Sequence, residues 1–256
     1  MKKNNKDANF ATRVYEAINW MGHRIPPSLM RAVSLPLDYQ SKTADSFANE
    51  SARMISLAFG LINNNKVYGD YAEFGVFKGH TFIEAHNAAR RLQLKDMKLW
   101  AYDSFEGLPE IKNEDVGGAF RTGEFSYARD AFIQRLQKYS VDLERVEIVE
   151  GFFDETLTPG SSNRKPGQIS IAWVDCDLYE STVPVLDFLT DKLAEGSVLI
   201  FDDWFCFNGR PDKGEQLACQ GWLAKNPDIH LTQYQRYSWG GNSFIFNRNV
   251  AVEADE

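Results

Sequence analysis

Two acidic pairs at the ends of apolar runs constrain this chain more than any other feature. Ile169-Ser170-Ile171-Ala172-Trp173-Val174 leads into Asp175-Cys176-Asp177, and Ser197-Val198-Leu199-Ile200-Phe201 leads into Asp202-Asp203-Trp204. Between them Val183, Leu186, Leu189 and Leu193 recur at helical spacing, which predicts a helix over 180–193. A strand, a helix and a strand of these lengths form a right-handed crossover with the two strands parallel. Four carboxylates then meet at the carboxyl edge of one sheet, where open α/β proteins bind their ligands. Carboxylates about 5 Å apart at an effective dielectric of about 20 repel by roughly 3 kcal/mol per pair. Such a group takes up protons or holds a cation, and a divalent metal is the simpler solution.

The rest of the chain continues the alternation. Helical periodicity over 45–62 ends in Asn63-Asn64-Asn65, a stop signal. Strands are expected over 69–76, 98–103 and 146–150, with helices over 81–92, 127–139 and 213–225. Two closing strands, 229–236 and 241–247, are joined by a glycine-glycine turn. This order predicts an α/β doubly wound sheet over 66–250 with an antiparallel edge strand. Residues 1–65, punctuated early by Pro26, Pro27 and Pro36, are read as a helical cap or a homo-oligomer contact.

A chain of 256 residues with 43% hydrophobic side chains has enough apolar surface for a full core. Its net charge of -8 argues against a nucleic-acid or anionic-membrane partner. No apolar stretch reaches membrane-spanning length, and no apolar signal core follows the basic start. Cys176, Cys206 and Cys219 form neither an even framework nor a metal-like spacing, which fits a reducing cytoplasm.

Glu73-Phe74-Gly75-Val76-Phe77-Lys78-Gly79-His80-Thr81 closes the first predicted strand. Gly75 and Gly79 allow a sharp turn and a close ligand approach before a helix. The spacing is not G-x-G-x-x-G, so the dinucleotide fingerprint is absent. Asp103, about thirty residues beyond Glu73, stands where ribose hydroxyls are bound in nucleotide-binding α/β folds. Glu73 without a phosphate loop suits a cationic ligand, and S-adenosylmethionine has an amine, a sulfonium and a ribose but no phosphate. The segment 105–126 holds Gly107, Gly117, Gly118 and Gly123 with no sustained period, as expected for a lid. Phe120, Phe125 and Tyr127 are its candidates for closing over a ligand.

Asp70-Tyr71-Ala72-Glu73-Phe74-Gly75-Val76-Phe77-Lys78-Gly79, Asp103-Ser104-Phe105-Glu106-Gly107-Leu108-Pro109 and Gly151-Phe152-Phe153-Asp154-Glu155-Thr156-Leu157 occur in that order. Asp175-Cys176-Asp177-Leu178-Tyr179-Glu180-Ser181-Thr182 and Asp202-Asp203-Trp204 follow. Together, over about residues 68–247, they resemble the macrocin O-methyltransferase family of sugar O-methyltransferases. The resemblance implies a Rossmann-like class I methyltransferase fold, S-adenosylmethionine as cofactor and magnesium as cation. It implies Asp175, Asp202 and Asp203 as metal ligands and Asp177 as general base. Glu73 and Gly75 match the methionine-end site, Asp103 and Ser104 the ribose site, and Phe152 falls near the adenine. Gly79, Thr81, Gly151 and Asp175 complete the candidate cofactor contacts. Phe77-Lys78-Gly79-His80 replaces the Trp-Arg-Gly-Gly that members often carry.

Other residues have blander readings. His86 and His230 fall inside a predicted helix and strand, His80 lies nearer the methionine end than the metal, and His23 precedes the domain. Cys176 alternates away from Asp175 and Asp177 and is read as a packing residue. Trp173 and Trp204 are expected to pack the sheet and Lys78 to be solvated, with Tyr179 and Trp204 as weak acceptor-site candidates. The acceptor is expected to be a small molecule, a nucleotide sugar or a glycosylated natural product. A catechol-type O-methyltransferase would use the same carboxylates, and a nucleotide-binding oxidoreductase or a binding domain could use the same fold.

Overall fold

A computed structural model gives the structure over residues 39–158, 160 and 165–248, with side chains from Asn49 onward. The predicted N-terminal cap and His23 therefore lie outside the described residues, apart from the helix that leads into the sheet. One compact unit begins at Ser46.

Helix α1 (Tyr39–Asn65) turns Met54, Ile55, Ala58, Phe59 and Ile62 onto one face, all at most 1% exposed. Six further elements alternate after it: β1 (Asp70–Phe74), α2 (His80–Arg91), β2 (Leu99–Asp103), α3 (Arg129–Lys138), β3 (Val146–Glu150) and the short α4 (Phe153–Thr156). Then come β4 (Ile169–Val174), α5 (Tyr179–Leu189), β5 (Leu193–Phe201), α6 (Gly214–Lys225), β6 (Ile229–Tyr237) and β7 (Gly241–Arg248). The strands form one sheet in the order β3-β2-β1-β4-β5-β7-β6.

Pairing is parallel from β3 through β5, and both faces of that region are covered. Tyr71, Leu99, Ala101, Ile171, Trp173 and Ile200 pack with α1, α2 and α3 on one face. Their neighbours in sequence, Ala72, Trp100, Ala172, Val174, Leu199 and Phe201, pack with α5 and α6 on the other. Burial on both faces explains why these strands read as continuous apolar runs rather than as alternation.

Two boundaries differ from the sequence expectation. Helix α5 stops at Leu189, and Leu193, which continues its apolar period, is the first residue of β5 and pairs with Ile169. A turn carries the chain across, with Lys192 N–H donating to Leu189 O and Ile169 N–H donating to Lys192 O. Strand β5 accordingly starts before Ser197 and bulges, with Gly196 at φ 78. In the closing pair the reversed strand is β7, inserted between β5 and the edge strand β6. The chain reaches β6 through α6, so β6 runs with the parallel strands and the hairpin folds back into the remaining slot.

Strand order reverses between β1 and β4, which makes a crevice at their carboxyl ends. Phe74 pairs with both Tyr102 and Val174, and Val174 pairs with Phe201. The next residues, Gly75, Asp103, Asp175 and Asp202, are therefore held side by side along one edge. Backbone bonds from Gly75 N–H to Tyr102 O (2.8 Å), Asp175 N–H to Phe74 O (2.9 Å) and Asp202 N–H to Val174 O (2.9 Å) extend the ladder to them.

Candidate active site

Three of the four strand-end carboxylates read from the sequence converge. Asp175, Asp177 and Asp203 offer oxygens that all lie within 4.8 Å of one another. Burial is the main reason that each carboxyl sits above its ordinary range; repulsion from neighbouring carboxylates adds to it at Asp175 and Asp177, whereas at Asp203 hydrogen bonding, first from Cys206, pulls the other way. Asp203 accepts a bond from Cys206 Sγ at 3.2 Å through Oδ1, while its buried Oδ2 has no hydrogen-bond partner. Asp202 stands slightly apart from the three. Its Oδ1 accepts from the buried Tyr237 hydroxyl at 2.7 Å, which partly offsets burial and Asp203, and its carboxyl is pushed up to about 7.

Asp177 has φ 59, a left-handed conformation that L-residues adopt only under constraint. The Leu178 N–H donates back to Cys176 O at 2.5 Å and closes a tight turn around it. Cys176 itself is buried, with its Sγ on Phe74 O, as its alternation predicts.

A cleft of about 430 Å³ opens from this cluster along the strand ends. Gly75, Asp103, Ser104, Gly151, Phe152 and Asp175 line it, as do Asp177, Asp202 and Asp203. Glu73, Gly79 and Thr81 do not, for physical reasons that the sequence conceals. Glu73 is fully buried beneath the turn and accepts from the Tyr71 and Thr81 hydroxyls. Burial pushes its carboxyl up to about 8 despite both bonds. Gly79 faces α3, where an added Cβ would lie 2.6 Å from the Phe132 ring. Gly75 is required by the backbone itself: at φ 89, a Cβ there would meet Asp175 O at 1.9 Å.

Asp103 is already engaged by its surroundings. Its Oδ2 accepts from Val76 N–H (2.8 Å) and Phe77 N–H (3.0 Å), and its Oδ1 accepts from Phe105 N–H (2.7 Å). The acid at the end of β2 thus shapes the glycine turn while facing the cleft.

The remaining aromatic and histidine residues sort by position. Phe77 meets Phe125 and Tyr127 edge-on, and Phe120 meets Phe207. Trp173 is buried in the core, and Trp204 packs between Phe201 and Phe244. The Tyr179 ring packs against the core on the α5 side, and Lys78 lies exposed with its Nζ 4.7 Å from the Phe77 ring centre. His86 is buried and accepts from Asp142 N–H, while His80 and His230 are exposed and away from the cleft lining.

Two acids that sequence reasoning passed over hold backbone amides beside this site without lining the cleft. Glu215, in the first turn of α6, is 1% exposed; its Oε2 accepts from Asp203 N–H at 3.1 Å, and its Oε1 has no partner. Asp115, in a 3-10 turn at Asn113–Asp115, is 2% exposed inside an otherwise exposed stretch. Neither has a local signature, since each binds a backbone amide that is remote in sequence.

A seven-stranded mixed sheet in the order β3-β2-β1-β4-β5-β7-β6, with β7 alone reversed and acids at successive strand ends above a cleft, is the arrangement of a class I methyltransferase fold. Within that class the chain belongs to the macrocin-O-methyltransferase (TylF) family, whose model matches residues 48–213. It is similar to a demethyldecarbamoylnovobiocin O-methyltransferase of Streptomyces niveus, at 27% identity over 146 residues covering 55% of this chain and 54% of the relative. It is also similar to an 8-demethyl-8-(2,3-dimethoxy-alpha-L-rhamnosyl)-tetracenomycin-C 4'-O-methyltransferase of Streptomyces olivaceus. There the identity is 30% over 144 residues, covering 54% of each chain. The chain spans about half the length of these curated relatives. Among solved structures, the O-methyltransferase NovP superposes with a TM-score of 0.66 at 24% identity, covering 78% of this chain and 80% of NovP, a likeness of fold.

Proposed function

We propose that this chain transfers a methyl group from S-adenosylmethionine to a sugar hydroxyl, with a magnesium ion at the acidic cluster. The observation that carries the reading is the convergence of Asp175, Asp177 and Asp203 within 4.8 Å at the edge of the cleft that also exposes Asp103 and Phe152. The residues suit a hard divalent cation. The donor set is all oxygen, Asp203 Oδ2 is a buried acceptor with no partner, and burial, with repulsion between carboxylates at Asp175 and Asp177, disfavours the ionised forms when no cation is present. The nucleoside end suits a ligand without phosphates, since acids, aromatic rings and a non-dinucleotide glycine turn surround it.

When bound, the sulfonium donor supplies an electrophilic methyl group and the cation lowers the pKa of a hydroxyl it binds. Asp175, Asp202 and Asp203 would hold the cation. A carboxylate oxygen of Asp177 takes the hydroxyl proton. The Gly75 turn and Asp103 orient the donor, and Phe77, Phe120 and Phe125 keep water from the cleft. Family membership sets the oxidoreductase reading aside. A sugar acceptor is favoured over a catechol by the activities named for the relatives.

One observation supports a second assignment of roles. Asp177 lies inside the group of close oxygens, while Asp202 gives one oxygen to Tyr237. In that arrangement Asp177 is a ligand and the base lies elsewhere. Magnesium titration of Asp177→Asn and Asp202→Asn separates the two. The proposal expects Asp177→Asn to keep metal affinity and to lose turnover by about 10² to 10⁴, the usual worth of a general base. Loss of metal affinity in Asp177→Asn, with affinity retained in Asp202→Asn, would reverse the roles.

A further inference from the structure

Helix α5 starts two residues after Asp177, and its first amides need acceptors. Leu178 occupies the capping position and provides no side-chain bond. Its neighbours offer no substitute, because Asp175 and Asp177 face the cleft. The acceptors come from 64 residues away. Asp115 Oδ1 receives Tyr179 N–H at 2.7 Å, and Asp115 Oδ2 receives Glu180 N–H at 3.1 Å.

The turn that carries Asp115 is fastened at each of its residues. Asn113 Nδ2 donates to Glu180 Oε1 at 2.8 Å, and Lys213 Nζ donates to Glu114 O at 2.5 Å. Lys213 immediately precedes α6, whose Glu215 holds the Asp203 amide. Segment 105–126 leaves β2 at the nucleoside end of the cleft, contributes Leu108, Glu110, Lys112 and Phe120 to its lining, and is pinned to the starts of α5 and α6 at the acidic end.

We propose that Asp115 is a positioning residue for Asp177, fixing the turn that presents it by capping α5 across the cleft. A left-handed aspartate persists only when its surroundings over-determine it. Here the constraints are the Leu178-to-Cys176 bond on one side and the two Asp115 bonds on the other. The strap over the cleft and the geometry of the acidic turn are thereby one device: releasing the first loosens the second. The proposal rests on the proposed function for its kinetic consequences but not for its structural ones.

The test compares wild type, Asp115→Ala, Asp115→Asn, Asp177→Asn and the double variant Asp115→Ala/Asp177→Asn. Hydrogen exchange at the Tyr179 and Glu180 amides should rise by about tenfold or more in Asp115→Ala and by less in Asp115→Asn, which keeps one acceptor oxygen. With the acceptor that supports wild-type turnover, kcat should fall by about 10- to 100-fold in Asp115→Ala, the range for a group that orients a functional residue. KM for S-adenosylmethionine should change by less than about twofold, because the donor end is untouched. In the Asp177→Asn background, Asp115→Ala should add almost nothing, since both act through one group. Unchanged exchange at the two amides, wild-type turnover in Asp115→Ala, or independent multiplying losses in the double variant would each overturn the proposal. If Asp115→Ala does not fold, Asp115→Asn gives the same readings. If wild type transfers no methyl group, the functional reading fails while the exchange measurement still decides the capping role.

Discussion

Glu73 shows how one buried side chain carries a measurable signature. Its carboxyl rises from the ordinary 4.5 to about 8, chiefly because burial penalises the charged form. Below about 4.5 the group is protonated whether the chain is folded or not, and its contribution to stability is intact. As pH rises toward 8 the unfolded chain ionises while the folded one holds its proton, so stability falls by up to a few kcal/mol. Glu73→Gln removes this contribution. Urea unfolding of the metal-free protein from pH 5 to pH 8 should show a shallower decline in the variant than in wild type; equal slopes would place the carboxyl in its ordinary range. The sequence showed that Glu73 ends a strand beside a glycine turn. It could not show that Tyr71 and Thr81 claim the carboxyl, because strand alternation does not reveal which hydroxyl a helix start will turn inward. Asp103, by contrast, was legible as a cleft residue, since its place at the end of β2 fixes its level along the sheet edge.

At the scale of the element, the glycine turn after β1 is set by backbone approach rather than by conformation alone. Gly75 and Gly117 have nearly the same φ, 89 and 92, but only Gly75 faces an obstacle, Asp175 O. An added Cβ at Gly117 meets nothing within 4 Å. Gly117→Ala should therefore cost about 1 kcal/mol, the price of a left-handed alanine. Gly75→Ala should cost several times more, because β1 and β4 must separate. Denaturant unfolding of the two variants gives the comparison directly, and equal losses would mean that φ alone matters. Element types were legible because buried strands and amphipathic helices differ in length and period. The end of α5 was not, since Leu186, Leu189 and Leu193 keep helical spacing across the turn into β5. Nor was the cap on α5, where a loop acid serves a helix that forms much later in the chain.

For the whole molecule, register converts short-range chemistry into a site. Phe74, Tyr102, Val174 and Phe201 share one level of the sheet, and the residues that follow them supply the turn and the acids at the crevice. The sheet therefore does at long range what no local motif does alone. Sequence reading recovered this convergence by topology, from the crossover rule and the strand ends. It could not show that Tyr237 reaches Asp202 from the closing hairpin, while Asp175, Asp177 and Asp203 are the three that converge. The chemistry proposed at this edge is metal-assisted methyl transfer. Its most direct measurement is transfer from isotope-labelled S-adenosylmethionine to a panel of glycosides and nucleotide sugars, before chelation, after chelation and after magnesium is restored. Product is expected on a sugar hydroxyl, to be lost in chelator and to return with magnesium; full transfer in chelator would exclude a metal-assisted step.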